Sequence, residues 1–178
     1  MPDLSRKNIL LTGPPGVGKT MIIMNVAKAL GEKADGIYTR ELRERGRRIG
    51  FLLVSLDGTE GLLAHVDLRH GPRVGKYFVN LEDLESVGTA SLHRATRSGK
   101  IVILDEIGRM ELLSEGFTRE VQRVMDSPSR VLATVREKGD SFCDSLKRRN
   151  DVTLVRVSEL NRDGLPDIIL SAISSGQR

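Results

Sequence analysis

Gly13-Pro-Pro-Gly-Val-Gly-Lys-Thr20 fits G-x-x-x-x-G-K-[ST] at every fixed position, and no other stretch constrains the fold of this chain as tightly. The pattern requires a strand to enter it and a helix to leave it. Both are legible. Lys7 to Thr12 holds the apolar run Ile9-Leu10-Leu11 of a short buried strand. Thr20 to Leu30 carries Met21, Ile22, Met24, Val26 and Ala27 in a helical pattern, with Gly31 as a C-terminal stop. Backbone amides at such a helix N-terminus form a nest for an anion. Pro14 and Pro15 have no N–H and stiffen the first half of the loop, so the amides come mainly from Gly16, Val17, Gly18, Lys19 and Thr20. Lys19 is expected to bridge the β- and γ-phosphates of a nucleotide, and the Thr20 hydroxyl to ligate Mg²⁺. A tight turn without a ligand would account for the glycines but not for Lys19-Thr20.

The rest of the chain alternates in kind. Gly36 to Val66 is rich in β-formers and broken by turn signals at Glu44-Arg45-Gly46 and Asp57-Gly58, which predicts two hairpins or a three-stranded meander. Residues 67–80 look loop-like, with Gly71, Pro72 and Gly75. Leu81 to Ser98 looks helical in two pieces, interrupted at Gly88. After that, strands at 100–104, 130–135 and 152–157 alternate with helices at 114–125, 140–149 and 165–174. Such alternation predicts an α/β fold: a mainly parallel sheet with helices on both faces, extended by an antiparallel β-ribbon insertion at about residues 36–66. The 178 residues suit one domain spanning 1–178.

Ile101-Val-Ile-Leu-Asp-Glu106 is an apolar run ending in two acids. Ligands of parallel sheets bind at the carboxyl ends of strands, so Asp105 and Glu106 should emerge beside the phosphate loop. Asp105 is expected to hold Mg²⁺ through water, because that ion dehydrates reluctantly. Glu106 is expected to orient the attacking water or accept its proton. Alone, two acids would merely end a strand; the phosphate loop shifts the reading to chemistry. A kinase must exclude water from the γ-phosphate, whereas a hydrolase must position it, and Glu106 suits the hydrolase.

Composition narrows the class. Hydrophobic residues make up 39% and charged residues 29%, the balance of a soluble globular protein. No apolar run reaches the ~20 residues that span a bilayer. Met1 to Lys7 is polar and lacks the layout of a signal peptide, and a single cysteine, Cys143, suits a reducing compartment, so a cytoplasmic location is expected. The formal net charge of +4 suits anionic ligands. Aromatics at 3% are too few for single-strand stacking platforms, so nucleic acid is a less favoured partner than a nucleoside triphosphate. A monomer is expected.

Taken in order, these residues make the chain similar to the thermostable, or cancer-related, nucleoside-triphosphatase family of small P-loop enzymes. The resemblance rests on Gly13–Thr20, Gly36-Ile-Tyr-Thr-Arg-Glu-Leu-Arg43, Gly46-Arg-Arg-Ile-Gly-Phe51, Leu56-Asp-Gly58 and Val74-Gly-Lys-Tyr77. It continues through Asp105-Glu-Ile-Gly-Arg-Met-Glu-Leu112, Leu132-Ala-Thr134, Asn161-Arg-Asp163 and Leu165-Pro166. It implies a RecA-like P-loop fold and Mg²⁺-dependent hydrolysis of ATP, GTP, CTP and UTP to the diphosphate and phosphate, with loose base selectivity. The nucleotide-binding set it implies is Gly13, Pro14, Pro15, Gly16, Val17, Gly18, Lys19, Thr20, Asp105, Glu106, Ile107, Gly108 and Arg109. Lys19 and Glu106 are then catalytic, and Thr20 and Asp105 hold the metal. Arg109, Arg40, Asn80 and Met21 depart from the residues usual in the family.

Other features admit two readings. Thr134 ends the strand expected to neighbour that of Asp105, and either senses the γ-phosphate or serves β-propensity. Arg40, Arg43, Arg45, Arg47 and Arg48 form either a nucleic-acid surface or, because Glu41 and Glu44 interrupt them, a solvated hairpin. Lys147-Arg-Arg149 supplies either an arginine finger or a basic helix end. Asn161-Arg-Asp163 is similar to the guanine-reading N-K-x-D, but Gly164 stands where its Asp is needed, so a helix N-cap is expected. His65, His70 and His93 are scattered, which argues against a zinc site. Two other functions compete with hydrolysis: a nucleotide or nucleoside kinase, and a nucleotide-switched nucleic-acid-binding module.

Overall fold

The computed structural model describes residues 4–175. One sheet of nine strands organises it, in the order β5-β6-β4-β3-β2-β7-β8-β1-β9. Five strands run parallel: β2 (Ala34–Glu44), β7 (Ile101–Ile107), β8 (Val131–Val135), β1 (Asn8–Thr12) and β9 (Val152–Arg156). The other four continue the sheet antiparallel from β2: β3 (Arg47–Ser55), β4 (Glu60–His65), β6 (Tyr77–Val79) and β5 (Arg73–Val74).

Alternation of side chains along β1 explains why both faces must be covered. Leu10 joins one apolar cluster, with Leu92, Phe117, Val121 and Leu146, while Ile9 and Leu11 join another, with Ile23, Val26, Leu165 and Ile169. The second cluster belongs to α1 (Lys19–Leu30) and α6 (Leu165–Ser175). The first belongs to α3 (Ala90–Arg97), α4 (Glu115–Asp126) and α5 (Ser141–Lys147). Strands buried on both faces have few polar positions except at their ends, and those ends are where chemistry is available.

Three expectations are sharpened. The ribbon at about 36–66 does extend the sheet antiparallel, but β2 begins at Ala34, and its first half pairs in parallel with β7 from Ala34↔Ile101 to Tyr38↔Asp105. Residues 67–80 are not merely loop, because β5 and β6 pair there as Arg73↔Phe78 and Val74↔Tyr77. The interruption at Gly88 is a π-helical turn rather than a break in the chain of helical residues. The short α2 (Leu81–Asp83) runs through a π-helical turn, Leu84–Thr89, straight into α3. A Cβ on Gly88 would come within 2.9 Å of Leu53 Cδ2, so glycine there admits close packing on β3. Among the described residues no helix is long and apolar enough to cross a membrane.

Candidate active site

α1 differs from its neighbours at its first turn. Asn80 caps α2, Ser114 caps α4 and Asp140 caps α5, each by accepting a backbone N–H three residues on. α1 starts instead from Gly18, in the left-handed region at φ 110°, with no side-chain cap and no acid in the first turn. First-turn amides have no intrahelical partner, and here no carboxylate of the turn neutralises them. An exposed loop, Pro14 to Gly16, leads into this end. Val17 is drawn inward: its side chain is buried, and its N–H turns to Pro14 O at 3.4 Å. Gly13 is also buried, against the Val157 carbonyl. Lys19 folds back over the loop and donates to Gly13 O at 2.9 Å and Pro14 O at 3.0 Å.

β8 lies between β1 and β7, so the acidic strand does not touch the phosphate-loop strand directly. Asp105, at the carboxyl end of β7, is buried to 1% exposure. Its Oδ1 accepts a 2.6 Å hydrogen bond from Thr134 Oγ1, and its Oδ2 is buried without a hydrogen-bond partner. The role of Thr134 is thereby defined: fully buried at 0% exposure, it orients Asp105. Burial pushes the Asp105 carboxyl above the ordinary carboxylate range, against the Thr134 and Thr20 hydroxyls and the Lys19 charge, which pull it down. Thr20 is therefore a neighbour of Asp105 across the gap between α1 and β7.

A hard cation fits this pair. A buried carboxylate oxygen with no partner is costly unless something positive meets it, and the Thr20 hydroxyl lies beside the same group. Both donors are oxygens, the set that Mg²⁺ prefers, and an ion that keeps most of its water needs few protein ligands. Among the described residues no group of three or more His, Cys, Asp or Glu side chains converges on a metal position, at this site or elsewhere.

The Asp105–Glu106 peptide is cis, and the β7–β8 register shifts between Leu104 and Ile107. Glu106 is half-buried in a cavity of about 270 Å³, which Thr39, Gly108, Arg109, Glu111 and Arg136 also line. Burial raises its carboxyl first and the Asp105 charge raises it further, while Lys19 and Arg136 oppose the rise. Ile107 turns away into the core at 0% exposure, and its carbonyl accepts from Arg136 N at 3.2 Å. Gly108 is buried and Arg109 is exposed.

Three lining residues escaped the sequence reading. Thr39 donates to the Asp105 carbonyl at 3.1 Å. Arg136 follows β8, and the carboxyl-end rule applied to every strand would have found it. Glu111 lies within the DEIGRMEL segment as a wholly buried carboxyl, pushed up to about 8, chiefly by burial.

Several residues of the remaining alternatives have structural partners. Arg40 pairs with Glu60, and Arg43 and Arg48 with Glu41, as in a solvated hairpin. Lys147 and Arg149 are tied down, Lys147 to Asp144 and Glu137 O, Arg149 to Asp126 and Asp151, while Arg148 between them is exposed. Asn161 does not cap α6 with its side chain; it braces its own loop, accepting from Ser158 N and donating to Arg156 O.

Comparison with known proteins gives the family. Residues 8–170 match the family described as NTPase. The nucleoside-triphosphatase THEP1 of Thermotoga maritima is 48% identical over 93% of this chain and 94% of its own length. The human cancer-related nucleoside-triphosphatase is 38% identical over 95% of this chain and 98% of its own. The crystal structure of THEP1 from the hyperthermophile Aquifex aeolicus superposes with a TM-score of 0.86 at 31% identity, covering 96% of this chain and 99% of that one. A phosphate loop on β1, an acidic pair on β7 with β8 between them, and full-length likeness to these proteins together mean that the chain belongs to the NTPase family, the nucleoside-triphosphatases.

Proposed function

We propose that this protein hydrolyses nucleoside 5′-triphosphates to the diphosphate and phosphate, dependent on Mg²⁺ and with little regard to the base. The observation that carries the reading is the acidic pair at the end of β7, Asp105 buried and Glu106 half-buried, beside Lys19 and Thr20 at the uncapped end of α1. In this reading the amides of Gly16, Gly18, Lys19 and Thr20 hold the phosphates, and Lys19 leaves the carbonyls of Gly13 and Pro14 to bridge the β- and γ-groups. Thr20 and Asp105 hold the metal, with Thr134 fixing the carboxylate. When bound there, Mg²⁺ would neutralise charge on the triphosphate.

Glu106 then takes the proton of a water as its oxygen bonds to the γ-phosphorus. The bond from that phosphorus to the β–γ bridging oxygen breaks, and the diphosphate leaves with the electron pair. The half-buried site favours this role, because desolvation makes the carboxylate a better base than one in water.

Glu106→Gln keeps the shape and loses the base. Single-turnover hydrolysis should fall by at least about a hundredfold, with NTP–Mg²⁺ affinity within a few-fold of the parent. Undiminished hydrolysis in that variant would move the water-orienting role elsewhere. A parent enzyme that transfers phosphate to added nucleoside monophosphate faster than to water would make it a kinase.

A further inference from the structure

The sheet order gives the triphosphate a direction. Asp105 and Glu106 lie on the β7 side of β1, and the γ-phosphate belongs with them. The α-phosphate end must therefore leave toward the other neighbour of β1, which is β9 with its loop to α6. Pro14 and Pro15 offer no amides, so the phosphates lie over the second half of the loop and the start of α1. At that point the surface opens into a cavity of about 400 Å³, lined by Gly18, Met21, Asn25, Arg162 and Pro166 among others.

Two of the side chains that line it are Met21 and Arg162. Met21 is 68% exposed on the first turn of α1, although it is apolar. Arg162 lies back over the phosphate loop, its Nη1 donating to Val17 O at 3.4 Å and its stem packed on Gly18. A Cβ on Gly18 would come within 3.5 Å of Arg162 Cδ, so the glycine gives the arginine a close seat. Among the described residues its only ion-pair contact is 3.7 Å, to an Asp163 side chain that is itself 95% exposed. The loop that carries Arg162 is braced without any ligand by the two Asn161 hydrogen bonds and by Arg162 N to Ser158 O at 3.0 Å.

We propose that this cavity is the nucleobase seat, in which Met21 and Arg162 grip the flat face of the base. The proposal rests on the triphosphate lying on Gly13–Thr20. A thioether and a guanidinium are both partners for the π-face of an aromatic ring, and every nucleobase has that face. Reading a base edge takes fixed donors and acceptors in a dry pocket. Here the polar groups at the rim, Asn25 and Asp163, are solvent-exposed, and Gly164 has no side chain to offer. The seat therefore binds purines and pyrimidines alike and gives a structural cause for loose selectivity.

Tripolyphosphate, which has no base, separates this seat from the phosphate site. The experiment titrates the parent, Met21→Ala, Arg162→Ala and Arg162→Lys with Mg²⁺ and either a β,γ-methylene ATP analogue or tripolyphosphate, by calorimetry. Met21→Ala alters an exposed side chain, so its folding is not at issue. Each alanine variant should lose at least about fivefold in affinity for the ATP analogue, with tripolyphosphate affinity within about twofold of the parent. Arg162→Lys should recover part of the loss, because the cation remains and the planar face does not. Equal losses for both ligands would make Arg162 a phosphate contact and overturn the base seat while leaving the triphosphate reading intact. Unchanged affinity for both ligands would also overturn it. A parent that binds neither ligand would overturn the triphosphate reading and the seat with it.

Discussion

Thr134 Oγ1 and Asp105 Oδ1 are joined by a hydrogen bond of 2.6 Å inside the sheet, between the ends of adjacent strands. The hydroxyl fixes one carboxylate oxygen and leaves the other, Oδ2, without a hydrogen-bond partner. A side chain 0% exposed thus decides which way a candidate metal ligand points.

Removing that hydroxyl should cost catalysis more than binding. Thr134→Val keeps the volume and β-branching but leaves Asp105 unanchored. Groups that orient a metal ligand typically contribute about 10–100-fold, so kcat should drop by at least about tenfold while KM changes little. Thr134→Ser, which retains the donor, should keep most of the activity. Steady-state hydrolysis of both variants over a range of Mg²⁺ concentrations checks this; equal rates for Val and Ser would refute the orienting role.

Lys19→Ala tests the phosphate loop. The side chain makes two hydrogen bonds, both to loop carbonyls of Gly13 and Pro14, so the folded state should lose only about 1 kcal/mol. Triphosphate affinity should fall at least about thirtyfold, the equivalent of about 2 kcal/mol, because a charge-assisted contact to phosphate disappears. Turnover should be nearly abolished. Normal hydrolysis by this variant would remove Gly13–Thr20 from the active site.

Gly36 marks where the ribbon joins the parallel sheet. Its φ is 137°, and a Cβ would lie 1.9 Å from the Ile103 carbonyl oxygen on β7. Two backbones cannot separate without opening the β2–β7 ladder. Gly36→Ala should therefore cost more than about 4 kcal/mol or prevent folding altogether. Far-UV circular dichroism and urea unfolding measure it, and a variant as stable as the parent would contradict the close approach.

What was legible in the sequence was local. The phosphate loop, its strand and its helix announce themselves through a fixed spacing and two periodicities, and the acids of β7 follow an unbroken apolar run. The helices at 114–125 and 165–174 are likewise read from spacing alone. What was hidden depends on which side chains become neighbours. That the Thr134 strand neighbours the Asp105 strand is expected, but not the hydrogen bond between their side chains, nor that Arg136 reaches the Glu106 cavity from the end of β8. Gly88 looks like a helix stop until Leu53 is packed against it. The β5–β6 hairpin, two and three residues long, is too short to show a pattern between Gly71 and Val79.

Glu111 predicts an unusual dependence of stability on pH. The carboxyl is wholly buried, and burial, helped by the charges of Glu106 and Asp105, pushes it up to about 8 from an ordinary value of 4.5. Backbone N–H groups of Glu111 and Gly108 oppose the shift without cancelling it. The folded state therefore holds a proton that the unfolded chain has released. The sign follows from linkage: this group's contribution is fully present below pH 4.5, declines as pH rises, and is lost above about 8. Glu111→Gln carries no titrating proton and escapes the decline. Its stability relative to the parent should rise between pH 5 and pH 8, by roughly 2–4 kcal/mol at a slope of up to about 1.4 kcal/mol per pH unit. Asp105 and Glu106 are also raised and titrate in both proteins, so the difference between parent and variant isolates Glu111 to first order. Urea unfolding at pH 5, 6.5 and 8 provides the measurement. A parent–variant difference that stays flat across this range would mean that Glu111 is ionised in the folded protein, with a cation or water meeting it in the cavity.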